Sequence, residues 1–274
     1  MAKIGLWSLR PSGQGPRIGT IFVRMEQAPF VLSGGGARGM AHIGVLQAFA
    51  DAGITPSAIS GTSAGALVGA FIAAGMTPAQ VTAMVHEEWR LHRTRWKVLR
   101  GELLTQRRMG EFLDAHLPVK RFEDLRIPFH VSATDLERGG QRIFSSGDLI
   151  PPLLACSAVP VIFPPVRIDG VPYVDGGLSN NLPIEPFDHR RAEVIAVYVN
   201  PLPPYDPRRS LRRTLDRTFH LSFREMVSRS ARGCRLYVEP PGLSAFGMFD
   251  LSRGAQIQAI GQAYTARLLK ERAL

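Results

Sequence analysis

A serine set between glycines is a candidate nucleophile, and the chain has one at Ser63 in Gly61-Thr62-Ser63-Ala64-Gly65. The G-x-S-x-G spacing suits a sharp strand-to-helix turn, where the serine backbone is strained and side chains at the flanking positions would collide with neighbouring segments. Such a hydroxyl reacts only when a base takes its proton, and acyl transfer also needs donors aimed at the developing oxyanion. The pentapeptide alone is weak, since a chain with 27 glycines can match it by chance.

Donors are available upstream. Gly34-Gly35-Gly36-Ala37-Arg38-Gly39 follows the apolar run Ala28-Pro29-Phe30-Val31-Leu32, and Gly34 precedes Gly61 by 27 residues. Backbone N–H groups in a glycine-rich loop approach a ligand without side-chain obstruction. The same Gly34-x-Gly36-x-x-Gly39 matches a dinucleotide-binding fingerprint, but that fingerprint expects an acidic residue at the end of the next strand, where this chain has Ser60-Gly61. A purely structural tight turn is the remaining alternative.

For the base, an order of Ser, Asp and His would leave His189 and His220 as candidates if Asp175 is the acid. His189 lies in the polar run Asp188-His189-Arg190-Arg191 and His220 in an Arg-rich helical stretch, so both read as surface residues. Asp175 itself is the better partner. In Val174-Asp175-Gly176-Gly177 a short apolar stretch ends in a glycine turn that would expose the carboxylate, although Asp-Gly-Gly is also a common turn sequence.

These residues need elements to hold them. Ala28 to Leu32 reads as a strand, and Ile43, Leu46 and Ala50 recur at helical spacing until Gly53. Ser57 to Ser60 reads as a second short strand, and the apolar stretch Ala64 to Ala74 as a helix buried on several sides. Thr77-Pro78 supplies an N-cap and first residue for another helix. Phe129 to Ala133, Gln141 to Phe144 and Val194 to Val199 read as strands, the last apolar enough to be central; Leu149 to Ala155, Leu211 to Ser230 and Ala255 to Leu269 read as helices. This alternation predicts one α/β domain of three αβα layers around a mostly parallel sheet, with both glycine turns at one sheet edge.

Composition sets the bounds. The 274 residues, 45% hydrophobic, suffice for a full core. Residues 1–24 show no clear period and read as a loose arm before a domain spanning 25–274, with Met25 as an alternative start. Met1 to Leu9 is too short in apolar residues for a signal peptide, and no apolar run has the length of a membrane span, so a cytoplasmic protein is expected. Cys156 and Cys234 are too few for a disulfide framework or a four-ligand zinc site. The net charge of +10 comes from 29 Arg and 4 Lys against 23 acids. In the cluster Arg90 to Arg108, Trp89, Trp96 and Leu99 interleave with Arg90, Arg93, Arg95 and Lys97, a mixture suited to peripheral contact with an anionic membrane. An ordinary solvated face is the competing reading and the commoner use of such runs. A second Arg-rich stretch covers Arg208 to Arg235. No nucleic-acid motif accompanies the charge, and no nucleic-acid partner is expected.

Taken together, Leu32-Ser33-Gly34-Gly35-Gly36-Ala37-Arg38-Gly39, Gly61-Thr62-Ser63-Ala64-Gly65 and Asp175-Gly176-Gly177 resemble, in order and separation, the motifs of the patatin-like phospholipases, in particular bacterial members. Ser157-Ala158-Val159-Pro160 with Phe163-Pro164-Pro165, and Asn180-Asn181-Leu182-Pro183, resemble the flanks of the aspartate in that family. The resemblance implies a Ser-Asp dyad without histidine: Ser63 as nucleophile, Asp175 as proton acceptor, and the Gly34, Gly35 and Gly36 amides with Arg38 nearby as oxyanion hole. It implies hydrolysis of carboxylic esters of phospholipids or lysophospholipids, with no metal and no cofactor. Two alternatives use the same residues: a low-turnover regulatory or membrane-binding protein, and an acyl transferase.

Overall fold

A computed structural model describes residues 3–6, 19–22, 26–96, 106–202 and 211–272, with the side chains of residues 26–88, 106–202, 217–218 and 221–272. Within the segment read as an arm, β1 (Lys3–Leu6) and β2 (Gly19–Phe22) pair antiparallel. The remaining strands are β3 (Glu26–Leu32), β4 (Ile54–Gly61), β5 (Phe129–Asp135), β6 (Gln141–Phe144), β7 (Val166–Ile168), β8 (Val171–Asp175), β9 (Ile195–Val197) and β10 (Leu236–Val238). They form one mixed sheet in the order β10-β9-β3-β4-β5-β8-β7, with β6 also paired to β5. From β10 to β5 every neighbouring pair is parallel; β5 with β6, β5 with β8 and β7 with β8 are antiparallel.

The helices are α1 (Met40–Asp51), α2 (Ser63–Ala73), α3 (Pro78–Trp96), α4 (Gln106–His116), α5 (Ile150–Cys156), α6 (Leu211–Ala231) and α7 (Gly254–Glu271). Strand alternation divides the interior between them. Phe30, Leu32, Ile59, Ile195 and Val197 face one core, shared with α1, α2, α5 and α7. Val31, Ala58 and Ala196 point to the other, which Leu182, Ile184 and Phe187 close together with Phe223 and Val227 of α6. The period of two along buried parallel strands thus produces the three layers expected from the sequence.

Local chemistry fixes the element ends. Thr77 and Gln80 form a capping box at the start of α3: the Thr77 amide donates to Gln80 Oε1 at 2.8 Å, and the Gln80 amide to Thr77 Oγ1 at 3.2 Å. α1 runs beside α7 and beneath β3, where Phe30 meets Phe49 edge to face at 5.1 Å between ring centroids. β4 is longer than the predicted Ser57 to Ser60, since Pro56 interrupts the sequence pattern but is absorbed by a register shift against β3 at Ala28 and Pro29. Among the described residues no single helix is long and apolar enough to cross a membrane. The basic stretch 89–108 falls largely outside them: residues 97–105 and the side chains of 89–100 are not described.

Candidate active site

Parallel pairing of β3 with β4 brings Leu32 opposite Gly61, so the two glycine turns leave the sheet side by side. β4 ends at Gly61, Thr62 is extended, and α2 begins at Ser63, whose φ of 50° lies in the left-handed region. That conformation costs a non-glycine residue on the order of 1–3 kcal/mol and must be held by its surroundings. Two bonds hold this one: Thr62 Oγ1 donates to the Ser132 carbonyl of β5 at 3.0 Å, and Ser60 Oγ donates to the Pro183 carbonyl at 2.6 Å. Gly65 is required by space. A Cβ there would stand 2.5 Å from the carbonyl oxygens of Leu32 and Ser33, too close for any side chain.

Asp175 ends β8, which enters from the antiparallel side, so serine and aspartate converge from opposite directions. The Asp175 main chain is fixed by its amide, which donates to the Ala158 carbonyl at 3.0 Å, and by Thr134 Oγ1, which donates to its carbonyl at 2.9 Å. Its carboxylate accepts from the Gly177 amide at 2.8 Å, and the neighbouring Ser63 side chain favours its ionised form. Only 8% of Asp175 is exposed. Burial disfavours the ionised form and outweighs the lowering effects of Ser63 and the Gly177 amide, raising the carboxyl from an ordinary 3.8 to about 6.

The glycine loop is clamped at Gly34. Its N–H donates to Asn181 Oδ1 at 3.0 Å, and its carbonyl accepts from Asn200 Nδ2 at 2.7 Å and from Ser33 Oγ at 3.0 Å. Gly36 has a φ of 55°, which favours glycine. With Gly34 N–H already occupied, the donors left among the described residues are the Gly35 and Gly36 amides, for which no partner is present there. Arg38 lies in the following 3-10 turn with its guanidinium buried: Nε donates to the Phe246 carbonyl at 2.8 Å and Nη1 to Asn200 Oδ1 at 3.3 Å. Gly39 packs against Ala64, joining the loop to α2. Gly176 and Gly177 form a 3-10 turn under the carboxylate.

Ser63, Asp175 and Gly34 to Gly36 line one small cavity of about 40 Å³ with Val159, Pro160, Leu178, Phe223 and Met248. A larger cavity of about 420 Å³ lies across Asn200, lined by Tyr198, Arg224, Arg232 and Glu239 among others. Neither Ser63 nor Asp175 reaches it, so here size does not mark the chemistry. His189 belongs to the 3-10 segment Glu185–Glu193 and does not line the Ser63 cavity; the side chain of His220 is not described.

Three neighbouring groups carry no signal of their role in the sequence. Asn200 is hidden because its partner Gly34 is 166 residues away; Asn181 stands out there only as a flank of the aspartate. His42 is fully buried in α1, with Nε2 against the Ser33 carbonyl at 2.8 Å and Nδ1 unpartnered; burial lowers it from 6.5 to about 4 and keeps it neutral. Both cysteines are free, and burial raises the Cys156 thiol to about 12, so it stays protonated. Among the described residues there is no cluster of side chains suited to a metal ion.

The chain is similar to several known proteins. NTE family protein Rv1063c of Mycobacterium tuberculosis is 34% identical over 198 residues, covering 68% of this chain and 53% of the relative. Neuropathy target esterase sws of Drosophila melanogaster is 32% identical over 179 residues, covering 62% of this chain and 12% of the fly protein. The chain therefore spans about half the length of the first of these, and a small part of the second. Among solved structures, VipD from Legionella pneumophila matches with a TM-score of 0.55 at 17% identity, over 97% of this chain and 70% of VipD, a likeness of fold. A family model described as patatin-like phospholipase matches residues 30–188, a stretch that runs unbroken through the glycine loop, the serine turn and the Asp-Gly-Gly turn. By that match over more than half its length, the chain belongs to the patatin-like phospholipase family.

Proposed function

We propose that the protein hydrolyses carboxylic esters of lipids, with Ser63 as nucleophile and Asp175 as its base. The observation that carries this reading is that Ser63 and the buried carboxyl of Asp175 line one cavity, beside a loop with two amides that lack a partner among the described residues. Ser63 Oγ attacks the ester carbonyl carbon as its proton passes to Asp175. The carbonyl oxygen takes up negative charge and is met by the Gly35 and Gly36 amides, in the loop before α1. Collapse of the tetrahedral intermediate expels the alcohol, a lysolipid or glycerol derivative, which leaves with the proton held by Asp175. Water then attacks the acyl-Ser63, Asp175 takes its proton, and a fatty acid is released with the serine restored.

Burial of Asp175 serves this sequence. An ordinary aspartate is a weak base for an alcohol; at about 6 the carboxyl is a stronger one and is still largely ionised at neutral pH. The Asn181 and Asn200 contacts keep Gly34 from turning, so the next two amides are positioned before substrate arrives. Phospholipids and lysophospholipids are the substrate class favoured by the family, and the esterase named among the relatives agrees with an ester bond. The test is a panel of lipid and simple esters with the Ser63→Ala variant as control, together with fluorophosphonate labelling. Wild-type hydrolysis and labelling, both absent in the folded variant, are expected. Hydrolysis retained without Ser63 would remove the proposal.

A further inference from the structure

Two turns border the cavity that holds Ser63, and each carries an apolar residue outward at its tip. In the first, the Ile162 and Phe163 amides both donate to the Val159 carbonyl, at 3.2 and 2.9 Å. Val159 and Pro160 line the cavity, while the next residue, Val161, is fully exposed at 106% and Ile162 at 41%. In the second, the Gly247 amide donates to Asp250 Oδ2 at 2.7 Å and the Asp250 amide donates to the Gly247 carbonyl at 3.3 Å. Met248 lines the cavity, and Phe249 beside it is 47% exposed.

Val161 is costly twice over. Its φ of 72° is a conformation that a β-branched residue strongly disfavours, and its whole side chain meets water. Among the described residues nothing covers it, so the arrangement calls for an occupant. The cavity below has about 40 Å³ free, room for little more than a water molecule, so an acyl chain enters only from the rim that these turns form.

We propose that the turns around Val161 and Phe249 dock the protein on a lipid bilayer, their apolar tips entering the interface so that Ser63 faces the lipid esters. The choice of a bilayer as occupant rests on the lipid-ester reading above. The contact is apolar and lies at the mouth of the site, where Gln106 donates to the Pro164 carbonyl just beyond the first turn.

The test is co-sedimentation with phosphatidylcholine vesicles containing phosphatidylglycerol, at high salt, where surface charge is screened. The variants are Val161→Asn, Phe249→Asn and the pair. Asparagine tolerates the left-handed conformation, so Val161→Asn should unfold at an equal or higher temperature than wild type while its vesicle partition falls by roughly tenfold, the pair losing more. Gain of stability with loss of binding is the signature that a structural role for Val161 would not give. The inference is overturned if wild type does not bind these vesicles, if the variants partition as wild type does, or if the tips instead hold two copies of the chain together, seen as a wild-type dimer and monomeric variants. Partition is read without turnover, so its failure leaves the Ser63 test standing, and failure of the Ser63 test leaves the vesicle result readable.

Discussion

Replacing Asp175 by asparagine should stabilise the protein at neutral pH while removing its activity. The carboxyl is raised from 3.8 to about 6 by burial, so above pH 6 the folded state carries a charge that the unfolded chain would hold more cheaply. A raised folded pKa contributes stability that is fully present below the unfolded value and is lost as pH rises through about 6. At about 1.4 kcal/mol for each tenfold change in proton affinity, the loss approaches about 3 kcal/mol at pH 7 and above. The asparagine side chain in Asp175→Asn would keep an oxygen for the Gly177 amide without the charge. His42 works in the opposite sense: lowered from 6.5 to about 4, it costs stability as pH falls below 6.5, by a similar amount. The two slopes oppose each other between pH 4 and 6 in wild type, so only the difference between wild type and Asp175→Asn isolates the aspartate. Urea unfolding followed by circular dichroism should find the variant more stable by about 2–3 kcal/mol at pH 7.5, the gap closing toward pH 4. The same carboxyl should make wild-type kcat/KM fall as pH drops through about 6. A variant equal to or less stable than wild type at pH 7.5 would refute the claim that burial dominates at this residue.

Asn200→Ala removes both the donor to the Gly34 carbonyl and an acceptor for Arg38, so it should cost about 1–3 kcal/mol of stability and lower kcat more than it raises KM for a small soluble ester; an unchanged kcat would show that the clamp does not position the loop. Gly65→Ala forces a methyl group against the Leu32 and Ser33 carbonyls and should destabilise the fold by at least about 3 kcal/mol, read as a lowered unfolding midpoint. A Gly65→Ala protein as stable as wild type would mean that the turn can open.

The legible parts of this molecule are those whose reasons are local. β3, β6 and α2 follow from runs of suitable length, and Thr77 caps α3 where the sequence indicates. β8 escapes because Val171–Asp175 is short, contains Pro172 and becomes a strand by pairing with the three-residue β7 and with β5, about forty residues earlier. β10 has three residues and depends on β9 in the same way. α4 has an apolar stripe of Met109, Phe112 and Leu113, but only Leu113 is buried and the helix has eleven residues, most of them polar or charged. At the site, Ser63, Asp175 and the glycine loop announce themselves by glycine spacing. The partners that clamp Gly34, Asn181 at its amide and Asn200 at its carbonyl, lack such a signal because each acts from more than a hundred residues away. Arg38 is legible from its place beside the loop, whereas its side-chain direction depends on Phe246.

The position of β9 limits what a shortened protein could do. The stretch that matches the family ends at residue 188, whereas β9, β10, α6 and α7 all follow it. A fragment cut there would leave β3 as a bare edge, its unpaired N–H and C=O groups flanked by Phe30, Val31 and Leu32, a template for aggregation with other chains. It would also lose the Val197 carbonyl that holds the Ser33 amide, Asn200, and the helix packed along α1. The segment that identifies the chemistry is therefore insufficient to perform it, and expression trials should retain residues through α7.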